Sequence, residues 1–426
     1  MRGWTGAALL VFAALAACGP SVTATDSETG SEATSEDNTS SATSDAQTET
    51  ESETSTTDTG DLPMDGCEPE DILRGFITVT TVEELEALSG ICGVDGTLTI
   101  RDSAQITTLE PLAALEWVTG QLVVSELPAL ESLAGLASLR ETTGLYLRGL
   151  GGIDDLSGLD AFEKSAALSL RNLPTVAGLP ESVTIGHTFT PQATLRFSVG
   201  SIADLEGLEQ LPEVELMPGA APFDTMIVDI ESLPGLFDLV GVETVLTEDP
   251  SAVRLWLRNL PIADLSGLEG QTVLGGLALR QMPELASVAG GDELVEIGEL
   301  IVSGATALPD FANFAGLEQV GLLELGNYCI NESGGSDDNP LLVDLSGFGG
   351  LVGVEVLTVS GLSAFDSFAG LAPQAQIGEA QIRWNLSLAP ATIDAFLLDY
   401  GLVIGNPGID DCGNLGQDMC PPCPGD

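Results

Sequence analysis

The sequence predicts a mainly β fold, a leucine-rich solenoid of about twelve coils with short capping helices. Two observations predict it. A unit of about 23 residues recurs along most of the chain, with the form Leu-x-Leu-x-x-Leu followed by apolar residues at about every third position. Hydrophobic residues also make up 44% of the chain, enough for a long core, whereas only 5% are aromatic. Such units bury their apolar faces by stacking on their neighbours, so we expect the array to fold as one body.

Two units show the repeat clearly, LSLRNLPTVAGL (168–179) and LYLRGLGGIDDLSGL (145–159). The alternation in each Leu-x-Leu pair is typical of a short, half-buried strand. Later apolar residues, such as Leu130, Leu133 and Leu136, then form the other walls of the coil. The predicted strand pairs are Leu98/Ile100, Leu122/Val124, Leu145/Leu147, Leu168/Leu170, Leu195/Phe197, Val228/Ile230, Leu255/Leu257, Leu277/Leu279, Leu300/Val302, Leu323/Leu325, Leu357/Val359 and Ala380/Ile382.

Both ends of the solenoid carry predicted caps. Val82 to Leu88 has the pattern of a short helix over the first coil. Ala391 to Tyr400 is a second helix with one apolar face, and Gly401 lies just past its end. We expect a final strand at Leu402 to Ile404, followed by a cysteine-containing tail over 406–426, to protect the last edge.

The first eighteen residues have the composition of a predicted export signal. Arg2 precedes an apolar run that is too short to span a bilayer, and Leu15-Ala16-Ala17-Cys18 follows. This tetrapeptide resembles the bacterial lipobox. The resemblance implies cleavage before Cys18, lipid attachment to its thiol and a membrane partner through that lipid. Gly19 after the cysteine favours sorting to the outer membrane, facing either the surface or the periplasm.

Residues 19–66 form a predicted tether. The segment is almost entirely Ser, Thr, Glu, Asp and Ala, and it contains no Lys or Arg. It cannot bury enough apolar surface to offset its ordering entropy, and its charges repel one another. We therefore expect a disordered spacer between the lipid and the solenoid.

The net charge of −53 limits the partners of this chain. It excludes a protein that binds nucleic acid or anionic membranes by bulk electrostatics. Solubility and resistance to self-association are the simplest explanation of so many carboxylates.

Six cysteines remain after Cys18, an even number that suits an oxidising compartment. Fifteen pairings are open to them. We expect Cys67 to pair with Cys92, because both lie at the start of the solenoid, and we leave the pairing of the others open. The lone CxxC lacks the four ligands of a structural zinc site, so structural disulfides are the favoured interpretation. The remaining disulfide candidates are Cys329, Cys412, Cys420 and Cys423.

LEALSGICGVDGTLTI (85–100) resembles the opening of the receptor L-domain. In that family a Cys precedes a Gly-x-Leu-x-Ile strand, matched here by Cys92, Gly96, Leu98 and Ile100. The resemblance implies a single-stranded right-handed β-helix over 67–405 with a binding role and no activity. The alternative is the ordinary leucine-rich repeat, which needs an Asn three residues after the second Leu. Leu fills that place at Leu150, Leu173 and Leu260, and Asn172 and Asn259 lie one residue earlier.

The sequence contains no recognisable catalytic motif. HExxH, GxSxG and a Gly-rich phosphate loop are missing, and His187 is the only histidine. We therefore predict no catalytic residues, no metal site and no cofactor. A calcium-dependent polysaccharide lyase of the β-helix type is the enzymatic alternative, and the segment Glu332 to Asn339 (ESGGSDDN) supplies oxygen ligands suited to calcium. A plain solvated loop is the favoured interpretation of that segment.

The arginines have a sharper pattern. Six of them occupy one place in the coil, directly after the strand pair: Arg101, Arg148, Arg171, Arg258, Arg280 and Arg383. Like charges on adjacent strands are destabilising unless an anion lies between them. Neighbouring carboxylates would make this column a structural ion-pair ladder. The functional alternative is a groove for an anionic polymer or an acidic partner.

The residue inside each strand pair faces outward on the same sheet. Tyr146 and Trp256 in this column are candidates for stacking on a sugar or anchoring a protein. We predict a non-enzymatic envelope protein that binds a protein or glycan through this face; a passive acidic stalk is a further alternative. The outward column is predicted as Thr99, Val123, Tyr146, Ser169, Arg196, Asp229, Trp256, Ala278, Ile301, Glu324, Thr358 and Gln381.

Overall fold

The computed structural model describes most of the chain from Cys67 onward. The described residues are 67–180, 183–186, 188–189, 194–204, 208, 211–215, 225–246, 249–326, 338–404 and 408–416. All of them belong to one compact unit that spans 60–426. The predicted lipidation site Cys18, the tether, His187, Cys329, Cys420 and Cys423 lie outside the described residues.

The described residues form a parallel β-solenoid of about twelve turns, which confirms the predicted fold class and is consistent with a right-handed β-helix repeat. Each strand of the main sheet pairs in parallel with the corresponding strand of the next coil. The strands are β1 (Ile72–Val79), β2 (Gly93–Arg101), β3 (Trp117–Ser125), β4 (Glu141–Arg148), β5 (Lys164–Ala177), β6 (Thr184–Gly186), β7 (Thr194–Asp204), β8 (Glu213–Glu215), β9 (Thr225–Glu231), β10 (Val253–Arg258), β11 (Val273–Leu274), β12 (Gly276–Arg280), β13 (Glu296–Ser303), β14 (Gln319–Gly326), β15 (Gly353–Ser360), β16 (Gln376–Arg383) and β17 (Ile409–Cys412).

The leucine pairs form these strands because their period of two places both side chains inside the coil. Leu98 stacks in register on Leu122, and Leu122 stacks on Leu145. All three are fully buried. The apolar residues that follow at threes, such as Leu130 and Leu133, line the remaining walls and are buried as well. The stacked coils therefore share one continuous core.

The two predicted capping helices are present. Helix α1 (Val82–Glu86) ends two residues before the predicted Leu88, and Thr81 caps it by accepting a hydrogen bond from the Glu84 amide at 3.2 Å. A single turn, α2 (Glu243–Leu246), was not predicted. Helix α3 (Pro390–Asp399) buries Ile393, Phe396 and Leu397 as expected. No helix among the described residues is both long and apolar enough to cross a membrane.

Short 3₁₀ turns occur in several coils outside the strands of the main sheet. Several of them begin directly after a Leu that is itself in the core, and there the chain turns back toward the sheet. Their bounds are Pro69–Asp71, Glu110–Leu112, Ala134–Leu136, Ser157–Leu159, Pro250–Ala252 and Ala312–Phe314.

The predicted register of the fifth coil is wrong. Phe197 pairs with Leu168, and Val199 pairs with Leu170, so the inward pair is Phe197/Val199 rather than Leu195/Phe197. Both choices satisfy the apolar alternation, because Leu195, Phe197 and Val199 are all buried. Ser198 therefore takes the outward place that was assigned to Arg196, and Arg196 lies two residues earlier.

The ends of the stack also differ from the prediction. An additional strand, β1, precedes the first predicted one, with Ile77 and Val79 as its inward pair. The closing strand is β17, so the prediction of a strand at Leu402 to Ile404 is wrong. This last strand pairs with β16 and lies within the segment that was predicted as a tail.

A left-handed corner follows the strand in most coils. The corner amide donates to the carbonyl of the next coil, as from Glu126 N to Arg148 O at 2.9 Å. This ladder helps to offset the steric cost of a positive φ, which Gly and Asn tolerate best. The corner is the reason that Asn172 and Asn259 lie one residue earlier than the leucine-rich repeat requires. The corner residues are Asp102, Glu126, Gly149, Asn172, Ser201, Ser232, Asn259, Gln281, Gly304, Gly361, Trp384 and Gly413.

The position after the corner changes character toward the C-terminus. Leu150, Leu173 and Leu260 fill it in earlier coils and are buried. In the last coils Asn385 and Asn414 fill it instead, also buried. The Asn385 amide donates to Val359 O at 2.8 Å, and its oxygen accepts from Leu362 N at 3.2 Å. The asparagine that the leucine-rich repeat requires three residues after the strand pair is therefore present in these last two coils.

Candidate ligand-binding face

We call the strand face three columns of outward-facing residues on strands β2–β16. The middle column holds the residue inside each strand pair, such as Tyr146. The left-hand column holds the residue two positions before it, and the right-hand column holds the residue two positions after it. The right-hand column holds the six arginines that the sequence predicts. The structure adds Arg254, which lies in the left-hand column on β10, and it moves Arg196 from the predicted outward column to the left-hand column on β7. Within these three columns the arginines outnumber the carboxylates by eight to five, although the chain as a whole is strongly acidic. The eight are Arg101, Arg148, Arg171, Arg196, Arg254, Arg258, Arg280 and Arg383, and the five are Asp229, Glu231, Glu299, Glu324 and Glu379.

The predicted stacking of arginines on adjacent strands is present. Arg148 is in register with Arg171, and Arg258 is in register with Arg280. Adjacent strands are about 4.8 Å apart, so each pair needs a nearby anion or a diverging side-chain path. The two arginines of each pair differ in their contacts with carboxylates.

Arg171 is held by two carboxylates from the next coils. Its Nη2 donates to Asp229 Oδ2 at 2.5 Å, and its Nη1 donates to Glu231 Oε2 at 2.6 Å. The same guanidinium donates to Ser198 Oγ at 2.8 Å from Nη2 and 3.0 Å from Nε. Gly200 lies between Arg171 and Glu231 in the column and leaves the path open because it has no side chain.

Two further arginines share these carboxylates. Arg258 Nη1 lies 3.6 Å from Glu231 Oε1, and Arg196 Nη1 lies 3.9 Å from Asp229 Oδ2. The Asp229 side chain is only 11% exposed, so its charge requires these partners. We call this group (Arg171, Arg196, Asp229, Glu231 and Arg258) the central ion cluster. In this cluster, carboxylates of neighbouring coils lie between the arginines, as expected for the structural ion-pair ladder described in the sequence analysis.

Trp256 contacts the central ion cluster. The Arg196 guanidinium lies over its ring, with Cζ 5.5 Å from the ring centroid. One ring face of this predicted ligand residue is therefore occupied by a neighbouring side chain.

Tyr146 is placed differently, because its ring lies over Gly144 of the same strand. A Cβ atom at Gly144 would come within 2.6 Å of Tyr146 Cε2, so only glycine leaves room for the ring. The ring is half-buried. Burial raises the pKa of the Tyr146 phenol, and the Arg196 guanidinium acts in the opposite direction.

Arg101 and Arg148 are the open end of the arginine column. Their side chains are 54% and 70% exposed. Arg101 Nε lies 3.6 Å from Asp102 Oδ2, and Arg148 Nε lies 3.7 Å from Glu126 Oε1. Both distances exceed hydrogen-bond length, so these contacts hold the side chains loosely. Ser125 lies between the two arginines in the column.

The C-terminal part of the strand face carries one partly buried carboxyl. Burial raises the pKa of Glu324, and the Arg280 guanidinium acts in the opposite direction. Arg280 is exposed and forms no ion pair with any described residue. In the left-hand column Arg254 Nε lies 3.2 Å from Glu299 Oε1. Arg383 lies in the right-hand column on β16 and is half-buried.

The cysteines agree with the expected first pairing. Cys67 and Cys92 form a disulfide, which confirms that prediction. Cys412 is also disulfide-bonded. Within the described ranges, no group of three or more His, Cys, Asp or Glu side chains is arranged to hold a metal ion.

The segment that was considered for calcium, Glu332 to Asn339, is described only at its last two residues. Asp338 accepts a hydrogen bond from Ser363 N at 3.1 Å. Asn339 accepts from Ala305 N at 2.7 Å and donates to Val302 O at 3.0 Å. These two side chains therefore bind neighbouring coils, and calcium binding by the rest of the segment stays a prediction.

Several site residues could not be found from the repeat alone. Arg254 precedes the strand pair, and Arg196 and Asp229 were only two of the twelve members of the predicted outward column. Gly144 had a readable signal, since Gly two residues before an outward Tyr leaves space for the ring. The bonds around Asp229 had no such signal, because they join residues 58 positions apart.

No family model matches this chain, and the searches of curated proteins and of solved structures find no match either.

Proposed function

We propose that this protein is a non-enzymatic, lipid-anchored protein of the bacterial outer membrane that binds a protein or glycan ligand through its strand face. The observation that carries the proposal is the distribution of charge. Eight of the eleven arginines in the sequence lie on this face, although the chain has a net charge of −53. A local positive face on an acidic body attracts an acidic ligand and orients it.

The sequence supports the anchoring part of the proposal. The lipobox-like segment ending at Cys18 would carry the lipid, and the acidic stretch 19–66 would hold the solenoid away from the membrane. The resemblance of 85–100 to the receptor L-domain supports a binding role, and the parallel solenoid suits that architecture.

The exposed arginines would supply the affinity. Guanidinium groups bind carboxylate, sulfate or phosphate with paired hydrogen bonds, and they do so best where no internal carboxylate already occupies them. Arg148 and Arg280 meet this condition most clearly, since Arg148 is loosely paired and Arg280 forms no ion pair with a described residue. We expect binding to weaken as salt is added, because exposed charges are screened.

The test is a binding screen of the full chain against a glycan panel and an envelope extract. The proposal predicts a saturable ligand whose affinity falls in the variant Arg148→Ala with Arg280→Ala. Arg140→Ala is the matched control, because Arg140 is 62% exposed and weakly paired but lies outside the strand face. The proposal is wrong if every detected affinity and its salt dependence are the same in the double variant and the wild type.

Two other experimental results would contradict this proposal and favour a different function. Release of unsaturated products from uronate polymers with added calcium would identify a β-helix lyase. A complete lack of saturable ligands would leave a passive acidic stalk.

A further inference from the structure

Tyr146 and Gly144 form a flat platform near the N-terminal end of the strand face. The ring lies against the sheet because Gly144 has no side chain, and its Cε2 and Cζ atoms occupy the space of a Cβ there. On the preceding strand β3, Val123 is in register with Tyr146. An aromatic ring held in this way has little freedom to lose, so a ligand that stacks on it costs little side-chain conformational entropy.

Two loosely held guanidinium groups belong to the same part of the strand face, since Arg148 follows Tyr146 by two residues on β4 and Arg101 lies in the Arg148 column. Arg101 and Arg148 are separated by two strand spacings, roughly 10 Å, with the short Ser125 between them. Their contacts with Asp102 and Glu126 are made through Nε. Among the described residues, none hydrogen-bonds the terminal nitrogens of either guanidinium. Both terminal forks are therefore available to a ligand.

We propose that this platform and the two arginines form a subsite for a uronic acid residue of an acidic polysaccharide. The Tyr146 ring would stack on the apolar face of the sugar. The Arg148 fork would bind the sugar carboxylate, with Arg101 on the other side of Ser125. This inference rests on the proposed function and names the class of ligand. It assigns Gly144 as a positioning residue, because it acts only through the ring it seats.

The composition of the face favours a glycan over an acidic protein. A protein interface needs large exposed apolar anchors at its centre. Among the described residues, only one exposed large hydrophobic side chain lies on the outward side of the main sheet. It is Phe76, which belongs to the end strand β1. Around Tyr146 the strand face offers short hydroxyl and amide side chains instead, namely Thr97, Thr99, Gln121 and Ser169, which suit sugar hydroxyls.

The Tyr146 platform is a better stacking site for a sugar than the ring of Trp256. Trp256 already carries the Arg196 guanidinium on its ring, and that guanidinium also approaches Asp229. A sugar would have to displace this contact. No such displacement is needed at Tyr146.

The experiment is a calorimetric titration of the full chain with uronate oligomers. The panel contains galacturonate, mannuronate and glucuronate oligomers, the neutral galactose oligomer of the same length, and poly-glutamate. We expect at least one uronate oligomer to bind at least about tenfold more tightly than the neutral oligomer and poly-glutamate. Arg148→Ala and Tyr146→Ala should each raise its Kd about tenfold.

Matched variants separate the roles. Tyr146→Phe keeps the ring and should retain binding, whereas Gly144→Ala should weaken binding as Tyr146→Ala does, because it displaces the ring. Arg140→Ala should leave the Kd unchanged. Circular dichroism verifies that each variant is folded, and the exposed Arg148 carries little risk in this respect.

Three outcomes would overturn the inference. They are no binding of any uronate oligomer, equal binding of the neutral oligomer, and an affinity that Arg148→Ala does not change. If another ligand from the screen then binds in an Arg280-dependent manner, the inference fails while the proposed function stands. If no ligand binds the strand face, both fail.

Discussion

Arg148 and Arg171 are neighbours in one column, on adjacent strands and in register, and yet their surroundings are opposite. Arg171 makes short hydrogen bonds to two carboxylates and a hydroxyl, at 2.5 to 3.0 Å. Arg148 has one loose contact at 3.7 Å and is 70% exposed. The comparison teaches that a repeat position does not set the role of its side chain. The role depends on which residues the following coils bring within reach.

The difference has a simple physical origin. Asp229 lies in the middle of the sheet with little access to water, and a buried carboxylate is costly without cations. Arg171 and Arg196 satisfy it from neighbouring coils. Glu126, the nearest acid to Arg148, is exposed at a corner and is already solvated, so it gains little from an ion pair.

The largest expected effect is on Asp229. Asp229→Ala leaves two arginines close together without their shared counterion and should lower the free energy of unfolding by about 2–3 kcal/mol, a value reduced because Arg171 is partly exposed. Urea unfolding followed by circular dichroism measures it. Glu126→Ala is the matched control and should change stability by less than about 0.5 kcal/mol. Equal losses in the two variants would remove the distinction between the regions.

A smaller effect is expected from changing the shape of the cation. Arg171→Lys keeps the charge, but a single ammonium cannot bind Asp229, Glu231 and Ser198 together as the planar guanidinium does. We expect a loss of about 1–2 kcal/mol. Arg148→Lys should be neutral within error. A tolerated lysine at 171 would show that the geometry of the cluster is unimportant.

The smallest expected effect concerns Glu324, at the C-terminal part of the face. Burial raises the pKa of this carboxyl, so the folded chain favours its protonated form more than the unfolded chain does. Its stabilising contribution is thus present at acidic pH, below the unfolded pKa, and is lost as the pH rises through the folded pKa. Glu324→Gln keeps a neutral side chain and should raise stability at neutral pH by about 0.5 kcal/mol or less.

The pH profile identifies the cause of that gain. The difference between Glu324→Gln and the wild type should shrink as the pH falls through the folded pKa of Glu324. Glu379→Gln, at an exposed position on β16, is the control. A gain that does not depend on pH would contradict titration of Glu324 as its source.

The sequence predicted the repetitive parts of this molecule well. The leucine pairs identified most of the main strands, because a period of two with full burial leaves few alternatives. It failed where the apolar pattern was longer than the pair, as at Leu195, Phe197 and Val199. It also failed at the ends, where the Ile77/Val79 pair of β1 was not recognised and β17 has Asp411 in place of the second apolar residue.

The candidate site was predictable only along the column. The spacing placed Arg148 beside Arg171, but it could not show that Arg171 crosses Gly200 to reach Glu231. That contact depends on the register of a coil whose length departs from the repeat. Asparagine was misjudged for a similar reason, since Asn172 and Asn259 form left-handed corners while Asn385 and Asn414 lie one place later and bind backbone groups.

The central claim is that one column of arginines contains a structural member and an open member. Two double-mutant cycles test it most directly, one for Arg171 with Asp229 and one for Arg148 with Glu126, each measured by urea unfolding. The account predicts a coupling energy of about 2 kcal/mol for the first pair and less than about 0.5 kcal/mol for the second. Similar coupling energies for the two pairs would contradict it.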